Sequence, residues 1–290
     1  RRHQERDGDV IAIGGRGLPF PPFLYPQKDS HMKDSPVIDL VATDLDGTLL
    51  DANGELPQSI FPVIAELLRR QKRFTLVSGR PIIFMQHIAE ALRVETAMVA
   101  FNGAALFLGD TIIASAPFSM ARLRPIMEEA DRLGATVLYY TAWEAFALRK
   151  TDWVTRAEET IRCYTIAIPT EEEWTEAEIL KAAILYHNDE RIHSAIDPQL
   201  DALQDAFSFS RYGTRFCEIM RRGVDKAYGL KELAAHLDIP LARILAIGDD
   251  VNDVTMLQEA GIGVAVNNAL DEVKAAADHV TRAQNTDGVI

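Results

Sequence analysis

Two acids stand two residues apart in the stretch DLDGT (44 to 48), at the end of a run, VIDLVAT, that otherwise reads as a buried strand. Asp44 and Asp46 repel one another at that spacing, and removing either from water raises the cost. Polar groups gather again in SGR (78 to 80) and GDDVND (248 to 253), each closing an apolar run. If these runs are parallel strands, all three groups fall at carboxyl ends, where open α/β sheets hold their ligands. Asp44, Asp46, Asp249, Asp250 and Asp253 then converge on one crevice, and such a cluster demands a cation. Oxygen-only ligands favour a hard ion. Mg2+ fits best, because it uses one or two carboxylates and leaves other positions to water and substrate phosphate.

A strand-end aspartate is also a potential nucleophile: attack on phosphorus forms an aspartyl-phosphate and splits a difficult hydrolysis into two easier steps. The second acid, two residues on, can protonate the leaving oxygen and then take a proton from the attacking water. These roles need different protonation states in close neighbours, so the pair should titrate as a unit. A phosphoryl group in transfer also needs its equatorial oxygens stabilised and its orientation fixed. Ser78 offers a hydroxyl and Gly79 a closely approaching N–H, while Lys226 opens a predicted helix whose N-terminus favours anions. Together they make a phosphate cradle opposite the metal, and Lys226 helps to hold Asp44 ionised.

Placing these groups requires strands and helices in alternation, which the chain supplies from Val37 onward. After VIDLVAT, Ser59 is the expected N-cap of a helix whose stripe is Ile60, Val63, Ile64, Leu67 and Leu68. RFTLVSGR is the next strand, PIIFMQHIAEALR a proline-led helix and TAMVAFNGA a third strand. The middle of the chain changes character. A helix over 119 to 133, paired strands ATVLYY and EAFALRK, a strand KAAILYH, a helix over 189 to 206 and a hairpin across Gly213 make a separate α+β unit. Helix 225 to 238, strand RILAIGDD, helix DVTMLQEA and strand GVAV then resume the first pattern. The expected fold is α/β: a doubly wound, Rossmann-like parallel sheet over 36 to 118 and 222 to 290, with an α+β insert over 119 to 221.

At 290 residues, nearly half of them apolar, the chain suits one large or two medium domains. Its 30 basic and 43 acidic residues give a net charge of −13, a field that repels nucleic acid and acidic membranes. No apolar run approaches the roughly 20 residues needed to span a bilayer. Only Cys163 and Cys217 are present, without metal-type spacing, which fits a reducing, cytoplasmic setting. Residues 1 to 35, rich in Gly, Pro and charge, read as an extension, and the SHM before Lys33 resembles a cloning junction. Trp143, Trp153 and Trp174 fall in the insert, where packing is the expected role.

Taken alone, DGT is only a turn signal. In order, however, DLDGT, SGR, Lys226 and GDDVND, with an α+β insert between the second and third, resemble the four motifs of the haloacid dehalogenase-like phosphatase superfamily. The insert's position is similar to the larger cap of the Cof-like branch, and the resemblance covers roughly 37 to 290. It implies Asp44 as nucleophile and Mg2+ ligand, Asp46 as acid/base whose backbone carbonyl reaches the metal, and Asp249 as third ligand. It further implies Leu45 as a backbone N–H donor to phosphate, Asn252 near the phosphate or the metal waters, and Thr48, Asp250 and Asp253 as supporting residues. Arg80, Asn102 and Gly103 would line the substrate entrance. The sequence departs from the family at Asp225 and Ala227, where Ser and Gly are usual; Asp225 is expected to cap the helix. Relatives also continue past NTDGVI into a helix. The implied activity is hydrolysis of a small phosphomonoester such as a sugar phosphate. A phosphomutase, a phosphatase dedicated to one metabolite and a non-catalytic phosphometabolite-binding regulator remain open, as does oligomeric state.

Overall fold

The computed structural model describes residues 37–161 and 165–290. The expectations for residues 1 to 35 and for Cys163 lie outside them. Strand β1 (Leu40–Thr43) leads through helix α1 (Ile60–Arg69) to β2 (Arg73–Leu76), then through α2 (Gln86–Leu92) to β3 (Met98–Ala100). Strands β4 (Ala105–Leu108) and β5 (Thr111–Ser115) form a hairpin beside β3. The insert begins with β6 (Phe118–Ser119), α3 (Arg124–Leu133), β7 (Thr136–Tyr140) and β8 (Ala145–Ala147). It continues with α4 (Asp152–Ile161), β9 (Ile166–Ala167), α5 (Glu171–Glu176) and β10 (Glu178–Ile179). Strand β11 (Lys181–Leu185), α6 (Glu190–Asp201), β12 (Phe207–Arg211) and β13 (Phe216–Arg221) complete it. The chain returns to the first unit with α7 (Lys226–Leu237), β14 (Ile244–Gly248), α8 (Val254–Glu259), β15 (Ile262–Ala265), α9 (Asp271–Ala276), β16 (His279–Val280) and α10 (Asn285–Val289).

The core sheet runs β16-β15-β14-β1-β2, all parallel, and an isolated bridge from Val77 to Val99 carries the parallel order on to β3. From β1 the chain winds outward to β3, and after the insert it restarts at β14 on the other side of β1. The direction of winding therefore reverses between β1 and β14, the place where such sheets bind ligands. The register levels the strand ends: Thr43 stands opposite both Leu76 and Ile247. One or two residues beyond that level lie Asp44, Ser78 and Asp249. Apolar side chains fill both faces of the sheet. Phe74, Leu76, Ile60, Ile64 and Ile88 pack on one, and Leu40, Ala42, Val77, Leu230, Leu233 and Leu257 on the other. No helix among the described residues is long and apolar enough to cross a membrane.

The cap sheet is ordered β12-β13-β11-β7-β8-β9. Its core is built on Val137, Tyr139, Ala182, Ile184 and Ile219 against α3 and α6. Two short strands pair antiparallel, β6 where the chain enters the insert and β10 just before β11.

Three local expectations differ from the structure. Ser59 lies in helical backbone geometry and its side chain makes no cap; the helix is entered instead from the turn that bonds Ile60 N to Pro57 O. Leu68 is exposed, because only Ile60 and Ile64 of that stripe reach the interior fully. Helix α4, strand β9 and helix α5 occupy a stretch where no element was expected. Their signals were the spacing of Val154 and Ala157, and the Thr170–Glu173 capping box that starts α5. Of the tryptophans, Trp174 is buried in the cap core and Trp153 packs against a second apolar cluster that includes Val154 and Ala157, but Trp143 is 37% exposed.

Candidate active site

Asp44 follows β1 directly, its N–H donating to Ile247 O at 2.9 Å, and its side chain is buried. Lys226, the first residue of α7 and also buried, donates to Asp44 Oδ1 and to Asp253 Oδ1, both at 2.6 Å. The other oxygen of Asp253 accepts from the backbone N–H groups of Asp249 and Asp250, at 3.0 and 3.1 Å. Asp253 thus joins the lysine to the β14 loop. Burial raises the Asp44 carboxyl well above its ordinary range; Lys226 opposes that shift, while Asp253, Asp249 and Asp46 add to it. Burial works against the Lys226 charge, but Asp253 and Asp44 outweigh it and hold the ammonium above the usual lysine range. Asp225 caps α7 as expected, accepting from Tyr228 N at 2.8 Å.

Between Leu45 and Leu49 the chain turns tightly, with Leu45, Thr48 and Leu49 buried and Gly47 at φ +82°. That turn brings Thr48 Oγ1 to Asp249 Oδ1 at 2.6 Å. The carbonyl of Gly47 accepts from Asn268 Nδ2 at 2.7 Å and Asn285 Nδ2 at 3.0 Å, so residues near the end of the described chain pin the turn. Asp249 is pushed up to about 7, chiefly by burial and then by Asp253, with the Thr48 hydrogen bond acting the other way. Asp250 is raised by burial too, although its carboxylate accepts from Val251 N at 2.7 Å.

Both oxygens of Asp46 accept from Arg80, at 2.8 Å from Nε and 2.5 Å from Nη2. Ser78, buried at the end of β2, accepts from Arg80 N at 3.2 Å. Gly79 lies against Asn102, and a Cβ there would stand 2.7 Å from Asn102 Oδ1. Asn102 is buried with φ +51°. It bonds Asn252 on one side and Glu218 of the cap on the other. Gly103 packs on the start of α7, where a Cβ would stand 1.9 Å from Asp225 O.

Sequence reasoning missed the cap residues that reach this site. Lys181 and Glu218 form a buried pair at 2.7 Å, and Lys181 also donates to Gly79 O. Tyr212, in the turn of the β12–β13 hairpin, stacks on Phe216, and its phenol is pushed up by burial and then by the charges of Glu218, Asp250, Asp253 and Asp44. One signal was available: Glu218 is a charged residue in the apolar strand RFCEIM.

Asp44, Asp249 and Asp253 each bring a carboxylate oxygen within 4.8 Å of the others, an all-oxygen set that suits a hard cation. Asp253 has committed both oxygens to Lys226 and the loop N–H groups. Asp44 and Asp249 each retain an oxygen with no hydrogen-bond partner among the described residues. Both carboxyls are raised, first by burial and then by the neighbouring carboxylates, and a cation bound between them would offset both effects. The donor set therefore fits a divalent cation on Asp44 and Asp249. The Asp46 side chain is paired with Arg80 and is not one of these three carboxylates.

A parallel α/β sheet whose switch point carries an acidic cluster and a buried lysine, under an inserted cap, defines a class of hydrolases. The model of the haloacid dehalogenase-like hydrolase family matches residues 41–290, and the chain belongs to that family as an enzyme of its phosphatase class. It is 26% identical over 250 residues to the putative phosphatase YkrA of Bacillus subtilis (strain 168), covering 86% of this chain and 94% of that one. It is 24% identical over 253 residues to the 5-amino-6-(5-phospho-D-ribitylamino)uracil phosphatase YcsE of the same organism, covering 87% and 93%. A crystal structure of a haloacid dehalogenase-like hydrolase from Bacteroides thetaiotaomicron superposes with a TM-score of 0.76 at 26% identity, covering 87% of this chain and 97% of that one.

Proposed function

We propose that the protein hydrolyses a small phosphomonoester through an aspartyl-phosphate at Asp44, with Mg2+ held by Asp44, Asp249 and the Asp46 carbonyl. The observation that carries this reading is the buried Lys226 shared between Asp44 and Asp253 at 2.6 Å. It fixes the nucleophile, and it sets a positive charge where a phosphoryl oxygen would lie. A bound Mg2+ would supply charge stabilisation to the transferring phosphoryl group. Asp44 attacks phosphorus as the bond to the leaving oxygen breaks, and water later attacks the aspartyl-phosphate. Ser78 and the main-chain N–H groups of Leu45 and Gly79 orient the phosphoryl oxygens, while Thr48 and Asp253 keep Asp249 and the loop in place.

Asp46 serves as acid to the leaving oxygen and then as base to water. In the arrangement described, both its oxygens are taken by Arg80, so neither is available to a leaving group until that pair opens. Substrate arriving against Arg80 is the event that frees Asp46. The cap over 119 to 221 excludes bulk water and selects the leaving group, with Tyr212 and Asn102 among the residues facing it. The relative named as a ribitylaminouracil phosphatase acts on the phosphate of a polyol, and this supports a sugar or polyol phosphate here.

Phosphate release from sugar phosphates, ribitylaminouracil phosphate, nucleotides, pyridoxal phosphate and flavin mononucleotide, ranked by kcat/KM with Mg2+, tests the reading. Release from at least one ester in wild type, with turnover abolished in a folded Asp44→Asn variant, is the expected result. No release from any ester, or wild-type rates in Asp44→Asn, would refute it.

A further inference from the structure

The Lys181–Glu218 pair belongs to the cap, yet both side chains direct their remaining hydrogen bonds into the core. Lys181 Nζ donates to Glu218 Oε1 at 2.7 Å and to the Gly79 carbonyl at 2.9 Å. The second oxygen of Glu218 accepts from Asn102 Nδ2 at 3.2 Å, and Asn102 Oδ1 accepts from Asn252 Nδ2 at 3.0 Å. A carboxylate only accepts and an ammonium only donates, so this pair gives the network a direction. Glu218 turns the nitrogen of Asn102 toward the cap and its oxygen toward Asn252. Asn252 must answer with its own nitrogen, and its Oδ1 is left buried and unpartnered at the end of the chain of amides.

On the other arm, Lys181 holds the carbonyl of the peptide joining Gly79 to Arg80. The N–H of that same peptide donates to Ser78 Oγ at 3.2 Å. With its oxygen engaged as an acceptor, the Ser78 hydroxyl has its proton to give.

We propose that the Lys181–Glu218 pair sets the hydrogen-bonding polarity of two strand-end side chains: Ser78 as a donor to phosphate, and Asn252 Oδ1 as the acceptor of an O–H group. Lys181 and Glu218 are positioning residues that tie the cap to the phosphate-binding loop. The inference rests on the phosphatase reading for what fills the crevice. The O–H group has two sources, water on the cation or a hydroxyl of the substrate.

The test compares wild type with Lys181→Met, Glu218→Gln, the double variant and Lys181→Arg. Turnover of p-nitrophenyl phosphate with Mg2+, calorimetric affinity for inorganic phosphate, Mg2+ affinity and thermal unfolding are measured on each. Each neutralising single variant loses at least tenfold in kcat/KM and in phosphate affinity. Lys181→Arg, which keeps charge and donors, recovers most of that loss. The double variant loses no more than the worse single one, because the two side chains act as one unit. It leaves no uncompensated buried charge, so it folds even where the singles do not, and its loss then decides alone. Wild-type phosphate affinity in the folded double variant, or losses that multiply, would overturn the proposal. Weaker Mg2+ binding in Glu218→Gln assigns the Asn252 contact to water on the cation, whereas unchanged Mg2+ binding with a raised KM for a hexose phosphate assigns it to a substrate hydroxyl; the absence of both changes refutes that arm. A wild type that releases no phosphate sinks the functional reading alone, since phosphate affinities still decide the relay.

Discussion

Replacing Gly47 by alanine strikes the acidic cluster through its backbone and not through its charges. Two costs arise. The residue sits at φ +82°, where a Cβ costs about 1–2 kcal/mol. The added Cβ would also stand 2.2 Å from Asp249 Oδ2, so the carboxylate must move. Neither partner can yield freely. The Gly47 carbonyl is held by Asn268 and Asn285, and Asp249 by Thr48 at 2.6 Å. Breaking that charge-assisted hydrogen bond adds roughly 1.5–3 kcal/mol. Gly47→Ala should therefore lose roughly 2.5–5 kcal/mol in urea unfolding with EDTA, and bind Mg2+ at least tenfold more weakly. The same substitution in an Asp249→Ala background meets no carboxylate, and should show only the backbone cost of about 1–2 kcal/mol. A double-mutant cycle in which the two changes add to within about 0.5 kcal/mol would refute the clash, and with it the placement of Asp249 against the turn.

Lys226→Met leaves the Asp44 and Asp253 carboxyls buried without their cation; it should cost about 3–5 kcal/mol and lower Tm by roughly 10 °C, and a fall of under 3 °C would contradict the shared ion pair. The Asp249 carboxyl, raised to about 7 in the folded chain, binds a proton there that the unfolded chain releases at lower pH. Metal-free stability from this group is thus present in acid and lost as pH rises through 7. Mg2+ should raise Tm more at pH 8 than at pH 5.5, which calorimetry with and without EDTA would check. Asp225→Ala removes the cap on Tyr228 N and should cost about 1 kcal/mol in urea unfolding.

The parts of the site that lie at the ends of parallel strands were legible, because period and strand-end polarity are local signals. DLDGT, SGR and GDDVND each end a strand or a bridge of the sheet, and a register that levels β1 with β2 and β14 brings them together without further instruction. Asp225 was legible for the same reason, as a cap is decided within three residues. What stayed hidden was non-local. Lys181 finds Glu218 at a separation of 37 residues and Gly79 at 102, and Asn102 finds Glu218 at 116. No period in the chain announces such pairs. Arg80 was visible in SGR, but its two hydrogen bonds to Asp46 were not, since a flexible arginine side chain chooses its carboxylate only once the strands are aligned.

The charges around the crevice explain why a cation and a phosphate ester would bind as a linked pair. Arg80 is engaged with Asp46, and Lys226 is divided between Asp44 and Asp253. Asp249 and Asp250 have no cationic partner among the described ion pairs, and Asp44, Asp249 and Asp250 all hold their protons more tightly than usual. A phosphate dianion approaching this surface meets repulsion, to which the chain's net charge of −13 adds at longer range. Under the proposed reading, a divalent cation on Asp44 and Asp249 would reverse that local sign, so the ester would bind weakly without it. Linkage then requires the converse: a bound phosphate tightens the cation by the same factor that the cation tightens the phosphate. The acidic pair that looks least suited to receiving an anion is thereby what makes its binding conditional on the metal.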